Sequence, residues 1–110
     1  MFIRMKEQIP SCLLEKMPTE AIEQAAEILK QLAHPMRLKI IDLLHTMGEL
    51  PVCEITRHLD ISQAATSQHL NQMRRIGMLR GERRGKAVWY SVVDHRPIAL
   101  LNCICNCCIR

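Results

Sequence analysis

The sequence predicts a mainly α fold carrying one small β-hairpin, with elements in the order ααααββα. Three observations carry that expectation. Apolar residues recur at the helical period of about 3.6 from Ile22 to Met73 and again after Pro97. Between these stretches the period falls to two, over Met78–Arg83 and Ala87–Val92, with Gly85-Lys86 as the turn of a hairpin. Breaking and capping residues (His34-Pro35, Gly48, Asp60-Ile61-Ser62 and Gly77) then divide the first helical stretch into four.

Taken in order, Pro18-Thr19-Glu20 opens the first helix. Thr19 is the expected N-cap, and Glu20 suits the positive end of the helix dipole. Ile22, Ala25, Ala26, Leu29 and Leu32 follow at helical spacing. Residues 1–17 lack such order and are expected to form an N-terminal arm or a short irregular helix, leaving residues 18–110 as one domain. Pro35 fits the first turn of the second helix, where its missing N–H costs little. Leu38, Ile41, Leu43 and Leu44 supply that helix's stripe, and Gly48 ends it. A short third helix is expected over about Val52–His58, with Ile55 and Leu59 facing inward. Ser62 caps a fourth helix running to about Arg75, which Gly77 closes. A last helix begins at Pro97 and contains Ile98, Leu101, Ile104, Cys105 and Cys108.

At 110 residues, 48% apolar and 24% charged, the chain has ordinary globular proportions and room for one modest core. Aromatics are only 3%, so aliphatic residues and Met must build that core, and pairing with a second copy would complete the burial. No apolar run approaches the roughly 18–20 residues that span a bilayer. Met1–Pro10 lacks a signal-peptide apolar region, so a soluble cytoplasmic protein without a membrane partner is expected. Net charge is +4. It is unevenly spread: Arg80–Lys86 holds four basic residues and one acid, whereas residues 10–33 hold four Glu against two Lys. No paired nucleophile and base, phosphate loop or carboxylate cluster is present, so an enzyme is not expected.

A helix, a short turn, a capped helix and a basic two-stranded hairpin follow one another in winged helix-turn-helix order. In that arrangement the fourth helix buries Thr66, Leu70 and Met73, supported by His69. Its outward side then carries Gln63, Ala64, Ser67, Gln68, Asn71 and Arg75. Gln can bond adenine through two atoms, Ser can bond several base edges, and an Ala methyl can meet a thymine methyl. Ser62 and the N–H groups after it can hold a phosphate. Arg83, Arg84 and Lys86 on the hairpin would follow the backbone or enter the minor groove. Duplex DNA is therefore the expected partner.

The chain resembles the ArsR/SmtB family of dimeric, effector-released bacterial repressors. The matching segments are Leu32-Ala33-His34-Pro35-Met36-Arg37, Ser62-Gln63-Ala64-Ala65-Thr66-Ser67-Gln68-His69-Leu70, Arg74-Arg75-Ile76-Gly77-Met78-Leu79 and Arg83-Arg84-Gly85-Lys86-Ala87-Val88-Trp89-Tyr90. The resemblance implies a homodimer through the first and last helices, an inverted-repeat operator and control of a nearby operon.

The effector does not follow from the resemblance. Arsenic- and cadmium-type members carry Cys-Val-Cys on the third helix; here Pro51-Val52-Cys53 keeps only the second thiol. At the positions resembling the zinc ligands stand Val93, Arg96, Asn106 and Ile109, none a ligand. Instead, four of the six cysteines, Cys103, Cys105, Cys107 and Cys108, crowd the last eight residues. Cys103 and Cys107 are i, i+4, and Cys105 and Cys108 are i, i+3, so each pair shares a helix face. Cys53, Cys12 or the partner subunit could complete a site. Thiolates select soft ions, such as As(III), Sb(III), Cd(II), Pb(II), Hg(II), Cu(I) or Zn(II). A thiol switch answering persulfides or oxidants is a second reading, small-residue packing at a dimer interface a third, and thiol-rich metal trafficking a fourth. None of these effectors is needed for DNA binding itself. The five scattered histidines are read as structural or solvated.

Overall fold

A computed structural model describes residues 13–108, and the breaking residues fall where the chain turns. A 3-10 turn, Leu13–Lys16, precedes α1 (Thr19–Leu32), α2 (Pro35–Met47), β1 (Glu49–Pro51), α3 (Val52–Leu59), α4 (Gln63–Arg75), β2 (Leu79–Arg84), β3 (Ala87–Val92) and α5 (Arg96–Cys108). Cys12 and Ile109 lie outside the described residues, and of Cys108 only the backbone is described. The chain divides into two compact units between Lys30 and Gln31. In the first, the Ala21 and Ile22 N–H groups donate to the Pro18 carbonyl at 3.0 and 3.2 Å. The cap therefore falls at Pro18, one residue before Thr19, because proline's locked φ already leads the chain into the first turn. Among the described residues no helix is long and apolar enough to cross a membrane.

The second unit holds the rest. His34 caps α2, its Nδ1 accepting from the Met36 N–H at 3.1 Å, and Pro35 occupies the first turn. Asp60, at φ 57°, reverses the chain between α3 and α4. Ser62 Oγ then accepts from the Ala65 N–H at 3.1 Å. At the other end of α4, Gly77 sits at φ 85°, where a side chain would be strained. That conformation lets the Gly77 N–H reach the Arg74 carbonyl and the Met78 N–H reach the Met73 carbonyl, both at 3.0 Å.

β2 and β3 pair antiparallel from Leu79↔Val92 to Arg84↔Ala87, so Gly85-Lys86 is a two-residue turn. β1, which the apolar period did not reveal, pairs with the other edge of β3, giving the order β1-β3-β2. Three residues are too few to show a period, and Pro51 is tolerated because the strand is at an edge.

The core joins Ile40, Ile41 and Leu44 of α2, Ile55 and Leu59 of α3, and Leu70 and Met73 of α4 to Met78, Leu79, Tyr90 and Ile98. Ile40 is fully buried while Leu38 and Leu43 are half-buried, a departure from the expected stripe. The reason is that α2 packs against α3, α4, α5 and the sheet, so its buried arc is wider than one face. Leu70 has no exposed surface. Leu70→Ala should lower the unfolding free energy by about 2–5 kcal/mol, measured by urea denaturation. A loss within the roughly 0.5 kcal/mol typical of surface changes would mean that α4 is not seated as described.

Candidate nucleic-acid interface and thiol cluster

The Ser62 cap and the buried row Thr66, Leu70 and Met73 fix which side of α4 faces out. Thr66 is buried without strain because its hydroxyl donates to the Ser62 carbonyl at 3.0 Å. Gln63, Ala64, Gln68, Asn71 and Arg75 are exposed, and Ser67 is half-buried. The first N–H groups of α4 have no intrahelical acceptor, as at any helix start. Gln63, Ser67 and Lys86 come together, with Cys53, around a cleft of about 370 Å³ between α3, α4 and the hairpin. Of the sequence-predicted groups, the cleft thus brings together Gln63 and Ser67 of α4 and Lys86 of the hairpin tip.

The hairpin cations are not equivalent. Arg84 donates from Nε to Glu82 at 2.7 Å and from Nη2 to Glu49 at 2.8 Å, with its guanidinium 5.2 Å from the Trp89 ring centre. The hydrogen bond to Arg84 holds the Glu82 carboxyl below its usual range, and those to Glu82 and Glu49 raise Arg84. Arg84 thus fastens β2 to β1 instead of standing free. Arg80 lies 3.8 Å from Glu82. Arg83 and Lys86 form no ion pair among the described residues.

Behind α4 lies a group the sequence carried only as part of a matching segment. Arg37 Nε donates to His69 Nδ1 at 3.2 Å, and Nη2 donates to Gln72 Oε1 at 3.3 Å. Its Nη1 donates to the Gln31 carbonyl at 3.2 Å and to Gln31 Oε1. The His34 ring meets the His69 ring edge-on at 4.6 Å. Accepting from Arg37 requires an unprotonated Nδ1. Burial first, then the charges of His34 and Arg37, accordingly push the His69 pKa below its ordinary 6.5. One side chain thus ties the start of α2 and Gln31 to two residues of α4.

On α5, Cys103, Cys105 and Cys107 are exposed free thiols, and Leu100 and Ile104 beside them are 37% and 47% exposed. The helix spreads alternate residues to opposite sides, so Cys105 does not face with Cys103 and Cys107. Among the described residues no three His, Cys, Asp or Glu side chains gather closely enough to hold a metal. Cys53 lines the α4–hairpin cleft, whose walls include no cysteine of α5. Asp94 is engaged by Arg96 at 2.6 and 2.9 Å, a hydrogen bond that keeps its carboxyl low.

A sequence model described as the bacterial regulatory protein, arsR family, matches residues 34–80, from the α2 cap into β2. The transcriptional repressor PagR of Bacillus anthracis is 40% identical over 85 residues, 74% of this chain and 85% of PagR. Its crystal structure superposes with a TM-score of 0.71 at 34% identity, covering 79% of this chain and 99% of that one. The arsenical resistance operon repressor of Escherichia coli K12 is 41% identical over 71 residues, 64% of this chain and 61% of that protein.

The His69 environment has a pH consequence. Its folded pKa is depressed, so its contribution is fully present above pH 6.5, the unfolded value, and is lost as pH falls toward the folded value. Stability should therefore decline on acidification just below pH 6.5, before the carboxylates titrate. His69→Gln, which keeps an acceptor for Arg37 but cannot titrate, should flatten that decline in thermal melts across the window. An unchanged decline in the variant would assign it to another group.

Proposed function

Because the chain belongs to the ArsR family of bacterial regulatory proteins, we propose that it is a cytoplasmic, homodimeric repressor released from its operator by ligation of its thiols. It is a DNA-binding transcriptional regulator with α4 and the hairpin as the reading unit. The observation that carries this reading is the juxtaposition of Gln63 and Ser67 of α4 with Lys86 at the hairpin tip around one cleft. Gln63, Ala64, Ser67, Gln68 and Asn71 would meet base edges in the major groove. Ser62 with the first N–H groups of α4, together with Arg75, Arg83 and Lys86, would hold phosphates. Arg84 would support the hairpin and reach DNA only by leaving its two carboxylates. Two-fold pairing through α1 and α5 would match an inverted repeat, with residues 1–17 as an arm outside the domain.

The proposed effector is a soft metal or metalloid, such as As(III), Sb(III), Cd(II), Pb(II), Cu(I) or Zn(II), held by Cys103, Cys105, Cys107 and Cys108. The described thiols of one chain do not assemble three ligands, and exposed Leu100 and Ile104 mark α5 as a contact helix. Both points favour a site completed by the second copy, with Cys53 and Cys12 as lesser candidates. Similarity to an arsenical resistance repressor adds support. A persulfide or oxidant acting on the same thiols is the second reading, favoured by the exposure of Cys103, Cys105 and Cys107. By linkage, the effector must bind the free form more tightly than the DNA-bound form.

Gln68→Ala should weaken operator binding by about 1–3 kcal/mol and leave random duplex unaffected in anisotropy titrations; equal losses on both would exclude base reading. Reduced protein on its operator should be released by at least one thiophilic ion or by a persulfide donor. Replacing Cys103, Cys105, Cys107 and Cys108 with Ser should keep DNA binding and abolish release. If none of these agents releases wild-type protein, the thiol-effector reading fails while the DNA-binding reading stands.

A further inference from the structure

Strand alternation sorts the charges of β2 onto two faces. Arg80, Glu82 and Arg84 share one face, where the carboxylates of Glu82 and Glu49 are paired. Gly81 and Arg83 share the other, opposite Tyr90 and Val88 of β3. That second face turns toward α4 and encloses a cleft of about 280 Å³ lined by Asn71, Arg74, Gly81, Arg83, Val88 and Tyr90. The lining residues include two arginines and no acid. Neither arginine has an ion pair among the described residues. The space far exceeds the roughly 30 Å³ of one water.

Gly81 is what admits Arg74. Its φ is not positive, so the backbone does not call for glycine. Space does: a Cβ there would stand 3.1 Å from Tyr90 Cε1, 3.3 Å from Arg74 Cδ and 3.4 Å from Val88 Cγ1. The Arg74 stem lies against the bare strand, and Arg74 and Arg83 both line the cleft. Two arginines lining one cleft without an acidic neighbour make it a positive site that favours an anion. The planar donor fork of each suits an oxyanion with two free oxygens.

We infer that Arg74 and Arg83 together seat one phosphodiester of the DNA backbone, with the Asn71 amide as a further donor. This rests on the DNA-binding reading and adds to it a contact at the junction of α4 and the hairpin. Such a contact carries no sequence information. It would instead fix the helix and the hairpin to the duplex at a common point.

The test is the salt dependence of binding to a random-sequence duplex, followed by anisotropy with wild type, Arg74→Ala, Arg83→Ala and the double variant. One shared phosphate predicts that the double variant loses about 0.9 in the slope of log affinity against log salt. It also predicts that the two single losses do not add. A wild-type slope in the double variant, or fully additive single losses, overturns the inference. Gly81→Ala keeps both charges but crowds Tyr90 and the Arg74 stem from inside the cleft, and it should lower affinity with an unchanged circular dichroism spectrum. Wild-type affinity in that variant also counts against the seat. A free phosphate ion shares the chemistry. If inorganic phosphate raises the melting temperature of wild type alone while the double variant keeps its DNA slope, the cleft serves a soluble anion and the assignment to DNA is wrong. Loss of all salt dependence in wild type would instead defeat the DNA-binding reading itself.

Discussion

Which side chains α4 offers to the candidate nucleic-acid face depends on the rotation of the helix about its own axis. A 13-residue helix offers many faces, and a turn of about 100° per residue would exchange its polar row for its apolar one. Three constraints hold it. Thr66, Leu70 and Met73 are buried without exposed surface, so any rotation would bring apolar area into water. Ser62 caps the start, and the left-handed turn at Gly77 closes the end through the N–H groups of Gly77 and Met78. Arg37 then bonds His69 and Gln72 from behind. These constraints differ in kind: the core resists rotation through area, the caps through backbone donors, and Arg37 through directed side-chain bonds. The last has a condition, since it requires a neutral His69. The seating of α4 and the protonation of one histidine are thereby linked.

The hairpin is held by different means. Only Tyr90 and Leu79 of its side chains are buried, too little apolar area to set its angle alone. Arg84 compensates by bonding carboxylates on two strands and covering Trp89. These are exposed pairs, individually weak in water. Their effect is on position: they gather the acids of the hairpin region onto the face away from α4 and leave Arg83 and Lys86 unopposed. Using one arginine to keep carboxylates occupied makes the remaining cations more effective toward a polyanion than their number implies.

The helices and hairpin were legible because each rests on local signals. His34-Pro35, Ser62 and Gly77 act through backbone geometry within a few residues, and the sequence states that geometry directly. β1 was not legible because a three-residue edge strand owes its existence to β3, forty residues further along the chain, and not to its own pattern. The same limit explains the site. The outward row of α4 follows from its period, but the different duties of Arg83 and Arg84 follow from Glu49, which no local pattern connects to either. Arg37 was visible in a matching segment without a role, since its partners lie 32 and 35 residues away. Arg74 was missed because its placement depends on the absence of a side chain at Gly81.

The thiol tail obeys a different logic from the DNA face. The family model matches residues 34–80, from the α2 cap into β2, and stops before α5, so that match carries no information about the tail. A trigonal or tetrahedral thiolate site needs donors converging on a point. A single helix cannot provide this from Cys103, Cys105 and Cys107, because successive odd positions diverge around its axis. Convergence must come from a second element. On the proposed reading that element is the partner's α5, and the consequence is mechanical: a metal bound between two copies constrains the angle between them. That angle sets the spacing of the two α4 helices, which must match one helical turn of DNA. An effector bound there could disfavour the DNA-bound geometry without touching the reading helix.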